Sequence, residues 1–239
     1  MKVALVTGGR VRLGAAISAF LKKSGWRVLT SSHRADAGAD IVADLADPLG
    51  AARLYSAALD ILGGRPPDAL VNNAALLVGG EREIETVNYE SAKKLTILMA
   101  GREEGRGAVV NILDASDQSA QFPAYAKSKA MLRDYTLKSA ALFSGTLAVN
   151  AVAPGPVMAP EGVRMKGGLC PLGRPTPDDV AGAVSYLLGA RTVTGAILPV
   201  DGGLGLLSSW QLAVSSWQLA VSSWQLAVSS WQLVARGQG

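Results

Sequence analysis

Seven short runs of mostly aliphatic residues, most of them followed by a stretch with helical spacing, constrain this chain most. The runs are VALVTG, WRVLTS, DIVADL, DALVNN, GAVVNIL, LAVNAVA and AILPVDG. A strand with one face in water alternates apolar and polar residues; these do not, which fits strands buried on both faces. The intervening segments predict helices over about 12–24, 48–62, 83–100, 124–142 and 177–188. Strands alternating with helices point to an α/β fold, a parallel sheet with helices on both sides. No Pro/Gly/Ser linker divides the first 206 residues, so they read as a single domain, with 207–239 as an appended tail.

One connection is too short for the pattern. Only SSHRADAGA separates Thr30 from Asp40. A parallel crossover normally takes a dozen or more residues, usually including a helix. Either the helix here is reduced to a turn or the strand ends lie elsewhere.

Composition narrows the function classes. The 239 residues are 49% apolar and 18% charged, in the range of a globular domain with one sizeable core. The net charge is +4, but the basic residues are scattered, which argues against a nucleic-acid partner. A single cysteine, Cys170, excludes an internal disulfide and fits a reducing, cytoplasmic setting. It sits among Gly and Pro with no histidine near it in sequence, which reads as a bystander. His33 is the only histidine, so histidine triads and multi-histidine metal sites are excluded, and no metal is expected. MKVALVTGG is broken by glycine too early for a signal peptide. No apolar run before the tail is long enough to span a membrane.

The first strand leads into a nucleotide signal. VALVTGGRVRLG reads as strand, Gly-containing turn and helix start. Glycine lets backbone approach a pyrophosphate, and the helix N-terminus offers free N–H groups. At the head of a βα series this predicts a Rossmann-type doubly wound sheet with a dinucleotide at the carboxyl ends of its strands. The second strand ends Ser31-Ser32-His33-Arg34, with no carboxylate until Asp36. NAD sites usually carry an acid here, whereas a guanidinium suits a 2′-phosphate, so NADP(H) is the expected cofactor, with Ser32, His33 and Arg34 around its phosphate. Asp44 and Asn72 follow at the ends of the next two strands.

Chemistry is suggested by YAKSK. Tyr125 and Lys129 stand four residues apart on a predicted helix and share one face. An ammonium beside a phenol favours the phenolate and lowers its pKa, which would make Tyr125 an acid usable near neutral pH.

The motifs occur in a characteristic order: TGGRVRLG, NNAA at 72–75, Asn88 in ETVNYESA, YAKSK, NAVAPGPV at 150–157 and VTGAILPVDGG at 193–203. Together they resemble the short-chain dehydrogenase/reductases, over residues 2 to 206. Two departures resemble the pteridine reductase and dihydromonapterin reductase subgroup. Arg12 stands where the family usually has glycine, and Asp114 in NILDAS replaces the usual catalytic serine. The HR of SSHR and the stretch APGPVMAPEG also resemble it. The resemblance implies an NADPH-dependent reductase of a pterin-like C=N, with Asp114 and Tyr125 delivering the proton. It implies that Lys129 holds the cofactor ribose and tunes Tyr125. Asn88 would order the water and helix behind Lys129, and Arg12 would bridge pyrophosphate and substrate. It further implies cofactor contacts from Gly8, Arg10 and Leu13 in the first turn, from Leu45 beside Asp44, from Ala74 beside Asn72, and from Pro154 and Gly155. A carboxyl backed by a phenol suits an imine nitrogen that must gain a proton as hydride arrives at carbon. Ser116 and Asp117 compete with Asp114 for this role.

Three segments are shorter than in the family: the crossover from 30 to 40, the stretch from 75 to 88, and the loop from 158 to 171. The aromatic ring that the subgroup sets against the pterin is absent from Ala75-Leu76-Leu77. A carbonyl reductase of broader specificity is therefore the alternative within enzymes. A weakly catalytic dinucleotide-binding scaffold is the alternative outside them, although it would not need the set Asn88, Asp114, Tyr125 and Lys129.

The tail repeats SSWQLAV almost four times from Ser208 to Leu233, with Trp at 210, 217, 224 and 231. As a strand, each odd seven-residue step would flip the next unit to the other face. As a helix, Trp and Val recur at spacings of four and three, a heptad seam. A helix over 206–235 would be ~45 Å long. The tail is expected to be helical and to hold a homo-oligomer together, a tetramer by the family resemblance, with β-rich assembly as the alternative. Membrane contact is disfavoured by two Ser and one Gln in every unit.

Overall fold

A computed structural model of the chain describes residues 1–103, 105–115, 121–158 and 170–206. The repeat tail, with its expected helix and assembly role, lies outside these residues, as do Ser116, Asp117 and most of the loop from 158 to 171.

The element order is β1 (Val3–Val6), α1 (Arg12–Lys23), β2 (Arg27–Ser32), β3 (Ile41–Val42), α2 (Gly50–Ile61) and β4 (Ala69–Asn72). There follow α3 (Glu81–Glu85), α4 (Ser91–Ala100), β5 (Gly107–Ile112), α5 (Pro123–Leu142), β6 (Leu147–Pro154), α6 (Pro177–Gly189) and β7 (Ile197–Val200). The seven strands form one parallel sheet in the order β3-β2-β1-β4-β5-β6-β7. This is the doubly wound α/β fold expected from the sequence. The order reverses direction beside β1, which opens a crevice between the β1 and β4 ends, the place where such sheets bind ligands.

The two-sided burial explains the missing polar alternation. Leu5, Leu70, Val109 and Val149 turn to one face and pack with Leu54, Leu95 and Met99 of α2 and α4. Ala4, Val6, Val71, Val110 and Val152 turn to the other and meet Ile17 and Leu21 of α1 and Val180 and Val184 of α6. Leu5, Ile17, Leu21, Leu54, Leu70 and Leu95 are fully buried, each contributing about 1.5–3 kcal/mol by removal from water. Helix α6 starts at a capping box: Asp179 N–H donates to Thr176 Oγ1, and Thr176 N–H donates to Asp179 Oδ2. Pro177 occupies the first helical position, where no N–H is needed.

The short crossover is resolved in favour of a reduced helix. A single 3₁₀ turn, Ala35–Ala37, joins β2 to a β3 of only two residues. Asp40 anchors it: its Oδ2 accepts the N–H of Thr30 at 2.8 Å and the hydroxyl of Thr30 at 2.7 Å. The carboxylate thus supplies hydrogen bonds that a longer crossover would leave to the strand ladder. The predicted helix from 83 to 100 also differs. It begins at Glu81 and contains a π-helical turn, Thr86–Glu90, between α3 and α4. The wider turn carries Asn88, whose buried side chain is bonded away from its own helix. A π turn inside an α-helix is uncommon and often lies at functional sites.

Candidate active site

The β1–α1 turn is shaped by close approach. Gly8 adopts φ +61°, a conformation favourable only to glycine. A Cβ on Gly14 would run into the carbonyl oxygen of Gly8 and lie 2.5 Å from Asn73 Nδ2. Helix α1 can therefore start tight against the turn only with glycine there. Arg12 also lies in the left-handed region, at φ +50°. Holding a non-glycine residue there costs about 1–3 kcal/mol. The position where the family has glycine keeps a glycine backbone while carrying a guanidinium.

A cleft of about 770 Å³ runs along the carboxyl ends of the strands. At one end its wall is made by Arg10, Ser32, His33 and Arg34, and in its middle by Gly8, Arg12, Leu13 and Ala74. Asp44 and Leu45 line it beside β3, and Pro154 and Gly155 line it at the end of β6. At the other end stand Asp114, Tyr125 and Lys129. Arg10 is held across the crossover, its Nε donating to Ala37 O at 3.1 Å. The Oγ of Ser32 accepts the N–H of Arg34 at 3.0 Å and fixes the bend after β2.

Asn72 departs from the expected cofactor wall. It is buried and absent from the cleft lining, and its Nδ2 donates to Asn111 Oδ1 at 2.8 Å, tying β4 to β5. The next residue, Asn73, lines the cleft instead and clamps the first turn, its Nδ2 donating to Thr7 O at 2.9 Å and to Gly8 O at 3.3 Å. Side chains alternate across a strand end, so only one of two consecutive asparagines can face the cleft. The sequence expectation named Asn72, whereas the asparagine that lines the cleft is Asn73. It also missed Glu83, Val87, Val157 and Met158 on the wall. Glu83 and Val87 are four residues apart, a helical-face signal that was available.

The end that holds Asp114, Tyr125 and Lys129 is compact. Tyr125 Oη donates to Asp114 Oδ2 at 3.1 Å. Lys129, 7% exposed, donates from Nζ to Ile112 O at 2.8 Å and lies 5.6 Å from the Tyr125 ring centroid. Burial pulls the Lys129 pKa down to about 8, against the opposing charge of Asp114. The expected lowering of the Tyr125 pKa is reversed: burial first, then the neighbouring Asp114 carboxylate, pushes it well above the ordinary phenol range. Tyr125 is thus a firmly protonated donor aimed at a carboxylate. A carboxylate in contact acts on the phenol more strongly than an ammonium across the ring.

Asn88 stands behind this pair rather than in the cleft. It is 1% exposed. Its Oδ1 accepts the N–H of Leu76 at 2.7 Å, and its Nδ2 donates to Leu76 O and to Ser128 Oγ, both at 2.9 Å. Ser128 in turn donates to Tyr125 O at 2.7 Å. A continuous hydrogen-bonded path therefore joins the cleft-lining loop at Leu76 to the first turn of α5.

The left-handed backbone of Gly8, the contacts at Gly14 that leave no room for a Cβ, and the basic end of the cleft all fit a dinucleotide. Among the described residues no cluster suited to a metal ion is found, and no helix is long and apolar enough to cross a membrane.

Comparison with known proteins agrees. The family profile described as enoyl-(acyl carrier protein) reductase matches residues 12–205. An uncharacterised oxidoreductase of Mycobacterium tuberculosis is 32% identical, over 85% of this chain and 92% of that protein. The acetoacetyl-CoA reductase of Allochromatium vinosum is 28% identical over 85% of this chain and 98% of its own length. The crystal structure of FolM alternative dihydrofolate reductase 1 from Brucella canis, complexed with NADP, superposes with a TM-score of 0.74 at 28% identity, covering 86% and 94% of the two chains. The chain belongs to the short-chain dehydrogenase/reductase family and is an NAD(P)-dependent oxidoreductase.

Proposed function

We propose that the protein is an NADPH-dependent reductase of a pterin-like C=N bond. The observation that carries this reading is the Asp114–Tyr125 hydrogen bond at the reacting end of the cleft, with a carboxyl where a carbonyl reductase would use a hydroxyl. NADPH, when bound, supplies the hydride. Gly8, Leu13, Ala74 and Gly155 would line its path, Arg12 would meet the pyrophosphate and substrate, and Arg34 with Ser32 and His33 would hold the 2′-phosphate. Lys129, already fixed by Ile112 O, would meet the ribose. Tyr125 holds a proton at Oη, and Asp114 Oδ2 accepts it in a hydrogen bond. The phenol so oriented can pass its proton to a ring nitrogen as hydride reaches carbon, Asp114 holding it in position, and the phenolate left behind would take a proton from water at the cleft mouth. The likeness to the NADP-bound FolM structure supports both the cofactor and the substrate class.

A second reading, reduction of a carbonyl, is favoured by one feature. Among the described residues, the wall beside the reacting pair carries Ala75, Leu76 and Val87 and adds no aromatic ring on which a pterin would stack. The acetoacetyl-CoA reductase relative points the same way. NADPH oxidation with dihydrobiopterin, compared with ethyl acetoacetate, tests the two. Turnover of the pterin at a kcat/KM at least tenfold that of the ketone is expected; the reverse ratio would overturn the pterin reading. For the tail we propose a role in assembly of a homo-oligomer, independent of the chemistry.

A further inference from the structure

Helix α3 presents its carboxylates on two faces. Glu81 and Glu85, one turn apart, both turn to Lys127 of α5, whose Nζ lies 2.9 Å from Glu81 Oε1 and 4.0 Å from Glu85 Oε2. Glu83 shares the other face with Val87, and both line the cleft. Among the described residues no cation lies within ion-pair distance of Glu83. Its Oε2 is seated close over the turn at Gly79: a Cβ built on Gly79 would be 3.0 Å from that oxygen and 3.0 Å from Leu76 Cδ2. Leu76 is itself on the cleft wall and is clamped by Asn88. The carboxylate thus stands on α3 over the Leu76–Gly79 loop, which is tied through Asn88 and Ser128 to α5, at the substrate side of the mouth. Of the cleft's guanidinium groups, Arg10 and Arg34 stand toward the nucleotide end, and Arg12, at the start of α1, stands in the middle.

We infer that Glu83 is a selectivity residue that admits substrates with neutral or cationic substituents and disfavours those trailing an anionic tail. This rests on the reductase reading above. The class disfavoured includes a ring carrying a glutamate tail and an acyl group on a phosphorylated carrier. A tail leaving the reacting end must pass the mouth, where a carboxylate with no cation beside it among the described residues repels like charge. Across a solvated mouth the effect amounts to about threefold to tenfold in kcat/KM and is reduced by salt.

The test uses two substrate pairs that differ in tail charge: dihydrobiopterin with dihydrofolate, and ethyl acetoacetate with acetoacetyl-CoA. In the pair that is reduced, the full chain should favour the uncharged member. Glu83→Gln should narrow that ratio by about threefold to tenfold, mainly through KM, and high salt should narrow it in the unmodified protein but not in the variant. An unchanged ratio in Glu83→Gln, with NADPH affinity intact, overturns the role of Glu83 alone. Reduction of the ketone pair alone overturns the pterin reading and leaves Glu83 to be decided by the ketone ratio. Reduction of neither pair overturns both.

Discussion

Tyr125 Oη donates to Asp114 Oδ2 at 3.1 Å, joining the first turn of α5 to the end of β5. The pair sits where β5 delivers its last residues to the cleft, and Lys129 is anchored to the same strand through Ile112 O. Three side chains are therefore referenced to one strand end, which is how a fold holds reacting groups in fixed geometry.

Removing the phenolic proton tests this arrangement directly. Tyr125→Phe is expected to lower kcat by about 10²–10⁴ while NADPH binding, read by fluorescence titration, changes little. Asp114→Ala should reduce pterin turnover more than ketone turnover. Equal losses on both substrates would contradict the proton-delivery role of Asp114.

Cofactor choice should follow the basic end of the cleft. Arg34→Asp places a carboxylate where a 2′-phosphate would lie, so NADPH affinity should drop by about tenfold or more. NADH affinity should hold or improve. Steady-state kinetics with each cofactor checks this, and equal affinity for both in the unmodified protein would refute the proposed preference.

Lys129 should leave a signature in the pH dependence of stability. Its folded pKa, about 8, lies below the ordinary 10.5. Between those values the unfolded chain holds the proton and the folded chain does not, so this group makes stability rise with pH. Above about 10, Tyr125 acts in the opposite sense, because its raised pKa lets the folded chain keep a proton that the unfolded chain loses. From pH 8 to 10, Lys129→Met should therefore lose a pH-dependent gain of about 1–3 kcal/mol. Thermal melts of both proteins in matched buffers measure it; parallel curves would show that Lys129 is not desolvated.

Ser128 is expected to matter although it does not line the cleft. Ser128→Ala leaves one N–H of the Asn88 amide without its acceptor in a buried site, a loss of about 1–3 kcal/mol. It also frees the Leu76 loop from α5. Chemical denaturation should show the stability loss. The double variant with Asn88→Ala should lose less than the sum of the single variants if the two act through one hydrogen bond.

Truncation after Leu206 tests the repeat tail. The proposed assembly role predicts a smaller oligomer by light scattering or a lower Tm, with active-site residues spared. No change in either measurement would refute it.

Sequence by itself determined the sheet and most of the helices, and it singled out residues that the structure brings to one cleft. Seven unalternating aliphatic runs could be buried only between two helix layers, and glycine at 8 and 14 with Tyr and Lys four apart announced a cleft and its chemistry. Tertiary structure decided what local pattern cannot carry. Which of Asn72 and Asn73 faces the cleft depends on the register of β4 against β1 and β5, a long-range pairing. The direction of the Tyr125 pKa shift depends on burial and on a carboxylate eleven residues away, not on the lysine one helical turn along. The shortened crossover survives because Asp40 folds back onto Thr30. Each of these outcomes is a contact between residues brought together only when the strands pair, and periodicity records which face a residue takes, not what it meets there.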